Sequence, residues 1–334
     1  SSDVCYSDLF EVNGRYDGSS KFTGDKRYSF FPSFSAGWRI SQEKFWHVDR
    51  NAVSDLKLRA SWGKQGNQSV GLYSYFSSLN LATYTFNGIP AQGYRQTTFA
   101  NKDLGWETTT QEDIGIDALF LNGRLSLTAD YYRKVTDDIL LNLAIPATIG
   151  LAAPPQNAGS VENKGFEFEV GYRSNRGTKF RYNLNANFSI NNNRVTDLKG
   201  TGPYITGSDN YPRYIIAQGL PINTLWGYKT DGLFQSQEEV NKYPTYSPNS
   251  KPGDVKYLDL NGDSKIDAKD MTNIGYTFPK YTYGLNADFS YNNFELNILF
   301  QGAAKIDTRL GGAFSDHGNF EAFAHEILTN NYWT

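Results

Sequence analysis

The run Asp259-Leu260-Asn261-Gly262-Asp263-Ser264-Lys265-Ile266-Asp267-Ala268-Lys269-Asp270 places oxygen-bearing side chains at its first, third, fifth, ninth and twelfth positions. With a backbone carbonyl at the seventh, this is the spacing by which an EF-hand-type loop wraps one hard cation. The chemistry it points to is a structural Ca2+ or Mg2+ site. Its ligand candidates are Asp259, Asn261, Asp263, Lys265 (through its carbonyl), Asp267 and Asp270, with Ile266 packing inward. Ser264 stands where the sharp turn favours Gly, Asp270 is shorter than the usual bidentate Glu, and the flanks read as strands, not helices. A solvated Asp/Asn/Gly turn uses the same residue types without metal, and that reading stays open.

Other chemistry is sparse. His47, His317 and His325 are isolated and lack zinc-motif spacing, and Cys5 is the only cysteine, which leaves no disulfide or Cys-type metal framework. No nucleophile elbow, phosphate loop or dinucleotide fingerprint is present, so no organic cofactor is expected. Glu167 and Glu169 would be a carboxylate pair for glycoside hydrolysis only if they converged; two-residue spacing on a strand merely sends both to one face. The expectation is that this is not an enzyme. Tyr204, Tyr211, Trp226 and Tyr228, in an irregular region, are candidates to stack on sugar rings, with loop packing as their alternative role. Lys+Arg 32 against Asp+Glu 35 gives a net charge of −3 with no basic stripe, which argues against nucleic-acid binding.

The elements around these residues read as β-strands. Phe180, Tyr182, Leu184, Ala186, Phe188 and Ile190 alternate with Arg181, Asn183, Asn185, Asn187 and Ser189. Successive strand residues point to opposite faces, so one face is apolar and the other polar. Such patterns predict strands at 28–40, 54–66, 105–120, 123–136, 161–173, 178–192, 280–290 and 293–303, and a weaker one at 9–16. Tyr 23 and Phe 22 within a hydrophobic content of only 39% suit pleated surfaces. The turns at Asn122-Gly123, Ser174–Gly177 and Asn292-Asn293 are tight and fall at one end. The long connections 67–104, 137–160 and 193–279 fall at the other. Short turns at one end, long loops at the other and strands of about 9–11 residues describe an outer-membrane barrel. Aromatics at Trp38, Trp62, Trp106, Tyr131, Tyr132 and Tyr291 would form its interfacial girdles. A soluble β-sandwich also alternates, but its strands average about 5–6 residues.

The segments RYDGSSKF (15–22), FPSFSAGWRIS (31–41), LKLRASWGKQGN (56–67) and GWETTTQEDIGIDALFLNGRLSLTADYYRK (105–134) go further, as do NAGSVENKGFEFEVGYR (157–173), GLPINTLWGYKTDGLF (219–234), PGDVKYLDLNGDSKID (252–267) and PKYTYGLNADFSY (279–291). Through them the chain from about residue 11 onward resembles the C-terminal barrel portion of the SusC/RagA-type TonB-linked outer-membrane receptors. The resemblance implies an all-β fold, a partial antiparallel transmembrane β-barrel with roughly nine of the family's ~22 strands. It implies a plug domain and TonB contact carried by an N-terminal region, a SusD-like surface lipoprotein as partner, and import of oligosaccharides or peptides across a Bacteroidota-type Gram-negative outer membrane. Residues 1–10 read as a leader foreign to the rest, and residues 11–334 as barrel without plug or final strands. A strand set too short to close leaves unpaired edges in lipid, so transport by this piece alone is not expected. Two other functions fit the residues: a passive outer-membrane porin or surface-binding barrel, and a soluble calcium-dependent carbohydrate-binding β-sandwich.

Overall fold

The computed structural model describes residues 8–142, 147–175, 177–207 and 213–308. Nine long strands form one antiparallel sheet in which each strand pairs with its neighbours in the chain. They are β1 (Asp8–Gly18), β2 (Tyr28–Trp38), β3 (Val53–Asn67), β4 (Glu107–Phe120), β5 (Leu125–Asp137), β6 (Ser160–Arg173), β7 (Phe180–Asp197), β8 (Tyr281–Tyr291) and β9 (Phe294–Ala304). All nine expected strands are present. The connections 121–124, 174–179 and 292–293 leave one end of the sheet together with 39–52, and the long connections leave the other.

Two boundaries differ from expectation. Leu9 and Phe10, read from sequence as part of a foreign leader, pair with Gly37 and Ala36, because β2 offers them a complete ladder partner. The strand expected to end at 192, with a loop from 193, instead continues as β7 to Asp197, taking in all of Asn191-Asn192-Asn193. The three pair with Gly165, Lys164 and Asn163 of β6, and Asn193 Nδ2 donates to Asn163 Oδ1 at 2.8 Å.

The register sorts residue types by face. One row crosses every strand: Phe10, Ala36, Ala60, Ile114, Tyr131, Phe166, Ile190, Tyr281 and Ala304, without a charged or amide side chain. This face is exposed, with Ile114 at 64%, Phe166 at 46% and Phe300 at 62%. From Phe180 to Ile190 the apolar run spans ten steps of ~3.3 Å, about 33 Å, which at a tilt of ~40° gives a band about 25 Å tall. Beyond it, toward the long connections, the same face carries Glu112, Arg133, Glu162 and Lys164, joined through Arg133–Glu162 at 2.7 Å and Lys164–Glu162 at 3.1 Å.

Trp38, Trp62, Tyr131 and Tyr291 lie on the apolar face as expected of girdle residues. Tyr132 does not, since strand parity turns it to the polar face. Trp106 precedes β4 and packs on Phe22 and Phe31 at 5.3 and 5.5 Å, inside a small core that includes the fully buried Leu104.

The long connections carry their own structure. Within 67–104, Leu79–Phe86 and Ile89–Gln96 form a hairpin around Asn87 and Gly88, both at positive φ. Connections are tied to one another through side chains. Asn157 Oδ1 accepts from Gly105 N at 2.7 Å, while its Nδ2 donates to the carbonyls of Gly105 and Asp138. Glu107 accepts from Leu140 N at 3.0 Å.

Among the described residues, 205–207, 213–216, 223–279 and 305–308 belong to a second unit. Its strands Arg213–Ile216, Thr224–Tyr228 and Met271–Gly275 pair side by side, and Thr230–Leu233 pairs with Val255–Tyr257. The helix Gln237–Lys242 starts where Ser236 accepts from Glu239 N. Ile215, Leu225, Phe234, Val240, Ile266 and Met271 make its core.

Candidate functional site

The polar face of the sheet is organised around side chains that reach over glycines. Arg59 on β3 faces Gly115 on β4, which in turn faces Asp130 on β5. With no side chain at Gly115, the guanidinium crosses it and meets an Asp130 carboxylate oxygen at 2.6 Å. Asp113 and Asp117, two positions to either side of Gly115 on the same face, hold it at 3.3 and 3.2 Å. A Cβ at Gly115 would lie 2.2 Å from Asp130 Oδ1 and 2.7 Å from Arg59 Cζ. Tyr132 repeats the device, passing Gly165 on β6 to donate its hydroxyl to Asn191 Oδ1 on β7 at 3.1 Å. Glu167 and Glu169 lie on this face, opposite Asp130 and Thr128 of β5 and Ser189 and Asn187 of β7. Hydrogen-bonded charge reaching across three strands makes this a polar, cross-linked surface.

The acidic loop has a definite internal geometry. Asp259 accepts from Gly262 N at 2.7 Å and Ser264 N at 2.8 Å. Asn261 accepts from Asp263 N, Asp263 from Lys265 N, and Asp267 from Lys269 N, at 2.8, 3.0 and 2.8 Å. Ser264 takes the left-handed conformation (φ 64°) that favours Gly, and Gly262 does so too (φ 75°). Asp270 is fully buried and accepts from Asp267 N at 2.9 Å, Leu260 N at 2.9 Å and Asn261 N at 3.4 Å. These backbone donors, led by Asp267 N, hold its carboxyl below the usual carboxylate range against the opposing effect of burial. Ile266 is buried, as its position in the loop implies. Among the described residues no group of three or more His, Cys, Asp or Glu converges as a metal-holding set. Asp259, Asn261, Asp263, Asp267 and the Lys265 carbonyl have the donor chemistry for a hard cation, but Asp270 is committed to N–H groups. The short Asp side chain reaches the loop's own backbone where a Glu would extend past it.

The aromatic candidates separate. Tyr228 packs on Tyr246 and Tyr257 at 5.5 and 5.3 Å, and burial raises its hydroxyl pKa. Trp226 is half-buried in the strand that pairs with Arg213 and Asn273. Tyr204 is half-buried at the start of a short strand. Tyr211, His317, His325 and Cys5 lie outside the described residues. Sequence reading missed Lys256, which bridges Asp231 at 3.0 Å and Glu239 at 2.9 Å and sits 5.0 Å over the Tyr243 ring. Its hydrogen bonds to Glu239 and Asp231 push its pKa above the ordinary lysine value. Glu239 and Lys256 lie 17 positions apart, beyond the reach of any local pattern.

A family model described as TonB dependent receptor-like, beta-barrel, matches residues 8–221. The chain belongs to the TonB-dependent receptor β-barrel family. It is 36% identical over 325 residues to TonB-dependent receptor P26 of Formosa agariphila, covering 95% of this chain and 32% of that protein. It is 33% identical over 303 residues to TonB-dependent receptor SusC of Bacteroides thetaiotaomicron, covering 87% of this chain and 29% of that protein. The solved structure of the RagAB peptide importer in the closed-closed state superposes with a TM-score of 0.73 at 26% identity, over 90% of this chain and 32% of that one. The match to SusC/RagA-type receptors agrees with the sequence motifs, and the chain spans about a third of the length of the relatives it matches. In this family the nine strands are part of a transmembrane barrel, which assigns the exposed apolar row to lipid and the Arg59 row to the interior.

Proposed function

We propose that this chain is the wall segment of an energised outer-membrane importer that works with a SusD-like lipoprotein and takes up oligosaccharides or peptides. The observation that carries this reading is the division of the sheet. One row of apolar side chains crosses all nine strands, and the opposite face holds the Arg59–Asp113–Asp117–Asp130 cluster. Lipid on one side and a polar passage on the other require that division. The long connections stand on the extracellular side, where Tyr204, Tyr211, Trp226 and Tyr228 contact solute or the lipoprotein. TonB acts through sequence N-terminal to this region. The test is uptake by cells carrying the whole gene, with and without TonB and the neighbouring lipoprotein gene. Loss of uptake without TonB supports the reading; undiminished passive flux would replace it with a porin.

For the loop at Asp259–Asp270 the reading is a self-capped turn that takes Ca2+ or Mg2+ through Asp259, Asn261, Asp263, Asp267 and the Lys265 carbonyl. With Asp270 turned inward, binding belongs at the weak, 10⁻⁴–10⁻³ M end of such loops, in the range of roughly extracellular modules. Calorimetric titration of the whole receptor with calcium, against an Asp259→Ala variant, tests it. No heat at millimolar calcium removes the cation.

A further inference from the structure

We propose that the connection 39–52, at the short-turn end of the sheet, is a lipid-interface anchor that seats among the phospholipid headgroups of the leaflet on that side. The proposal rests on the membrane-spanning role of the wall. Unlike the other turns at its end, this connection is long and internally built. Ile40–Gln42 forms a 3-10 turn, Arg39 pairs with Asp55 at 2.8 Å, and the Asp49 carbonyl accepts from Ala52 and Val53 N.

Its apolar residues continue a surface already assigned to lipid. Trp38 lies on the outward face in the same row as Leu58 and Ile116. The Phe45 ring packs edge-on against Trp38, with centroids 6.3 Å apart, which folds the connection toward the lipid side of the wall. Phe45 is nevertheless 58% exposed, and Val48, three residues on in the same connection, is 45% exposed.

The charges complete the pattern. Acidic groups in and beside the connection are engaged: Glu43 accepts from Trp38 Nε1 at 3.0 Å, Asp49 from Asn51 N at 2.9 Å, and Asp55 from Arg39. Lys44 and Arg50 are exposed and make no ion pair among the described residues. Aromatic and aliphatic side chains flanked by free cations suit the boundary between acyl chains and anionic headgroups. Continuity with the wall's lipid face favours bilayer over a protein partner.

The test uses the whole receptor in nanodiscs of phosphatidylethanolamine and phosphatidylglycerol, in a background without other cysteines. Bimane is placed at Val48→Cys, Asn122→Cys or Leu285→Cys, and quenching by nitroxide lipids is compared with quenching by aqueous iodide. The label at 48 is expected to read a depth of roughly 5–10 Å into the headgroup/acyl boundary, while the label at 122, on a tight turn at the same end, reads aqueous. Adding Phe45→Ser should drop lipid quenching at 48 to the level at 122 and leave 285 unchanged. Iodide-only quenching at 48 with normal lipid quenching at 285 overturns the anchor and leaves the wall intact. Shielding at 48 from both quenchers also overturns it, in favour of a protein cover. Loss of lipid quenching at 285 counts instead against the membrane-spanning reading.

Discussion

Arg59 and Asp130 sit on strands that are not neighbours, and their side chains meet at 2.6 Å only because Gly115 leaves the strand between them bare. Cross-strand pairs normally tie adjacent strands. Here one guanidinium, held also by Asp113 and Asp117, ties three.

Gly115→Ala should therefore cost more than its single methyl suggests. The new Cβ would lie 2.2 Å from Asp130 Oδ1, so the pair must part or the strands must shift, at about 1–3 kcal/mol by analogy with overpacking. Gly93→Ala, in the exposed hairpin with its nearest atom 4.0 Å away, should stay within about ±0.5 kcal/mol. Urea midpoints of the refolded receptor in vesicles, read by the gel shift between folded and unfolded forms, compare the two.

The two faces should respond oppositely to the same charge. Phe168 lies in mid-band between Ala129 and Phe188, and Phe168→Arg should destabilise insertion by about 2–4 kcal/mol. Glu169→Arg, one residue on and facing the interior, should insert normally and change ion or solute selectivity instead. Folding yield into vesicles checks the first, and conductance in planar bilayers checks the second.

Asn157 closes three backbone bonds between connections. Asn157→Ala leaves Gly105 N, Gly105 O and Asp138 O to find water, at a cost of roughly 1–3 kcal/mol for each group that stays buried. Amide exchange at Gly105 should accelerate markedly while β4 and β5 keep their protection. Unchanged exchange at Gly105 would mean that the connections are held some other way.

The acidic loop should be acid-sensitive with a definite sign. Asp270 has a folded pKa below its unfolded value of about 3.9, so its contribution is present above that value and is lost as pH falls through the lower folded pKa. Proteolysis confined to 259–270 should be flat from pH 7 to about 5 and rise only once pH falls below the ordinary carboxylate value of about 3.9. Asp270→Asn should be cleaved readily at every pH, because the amide keeps one acceptor oxygen and turns an NH2 donor toward an N–H that the second carboxylate oxygen had accepted.

The wall was legible because period-two alternation is a local signal and each of these strands is long enough to show it. Asn87-Gly88 also carried a hairpin signature, but the surrounding Leu79–Gln96 has apolar residues on both faces and no single alternating stripe. What the sequence hid depends on distant chain. Trp106 joins Phe22 and Phe31 from other strands and connections, and Tyr132 differs from Tyr131 only in which way the pleat turns it. The stretch from Asn193 to Asp197, expected as loop, is held as strand by β6. In the acidic loop the spacing revealed the oxygens, whereas the capture of Asp270 by backbone N–H groups follows from how short its side chain is.

The apolar run from Phe180 to Ile190, about 25 Å tall once tilted, is shorter than the ~30 Å of an average hydrocarbon core. Each ångström of mismatch costs a fraction of a kcal/mol, summed around the whole circumference, through thinned lipid or dragged headgroups. The strand length thus acts as a gauge of membrane thickness. It makes the thinner outer membrane the low-energy home for this wall and sets a mechanical penalty on residence anywhere thicker.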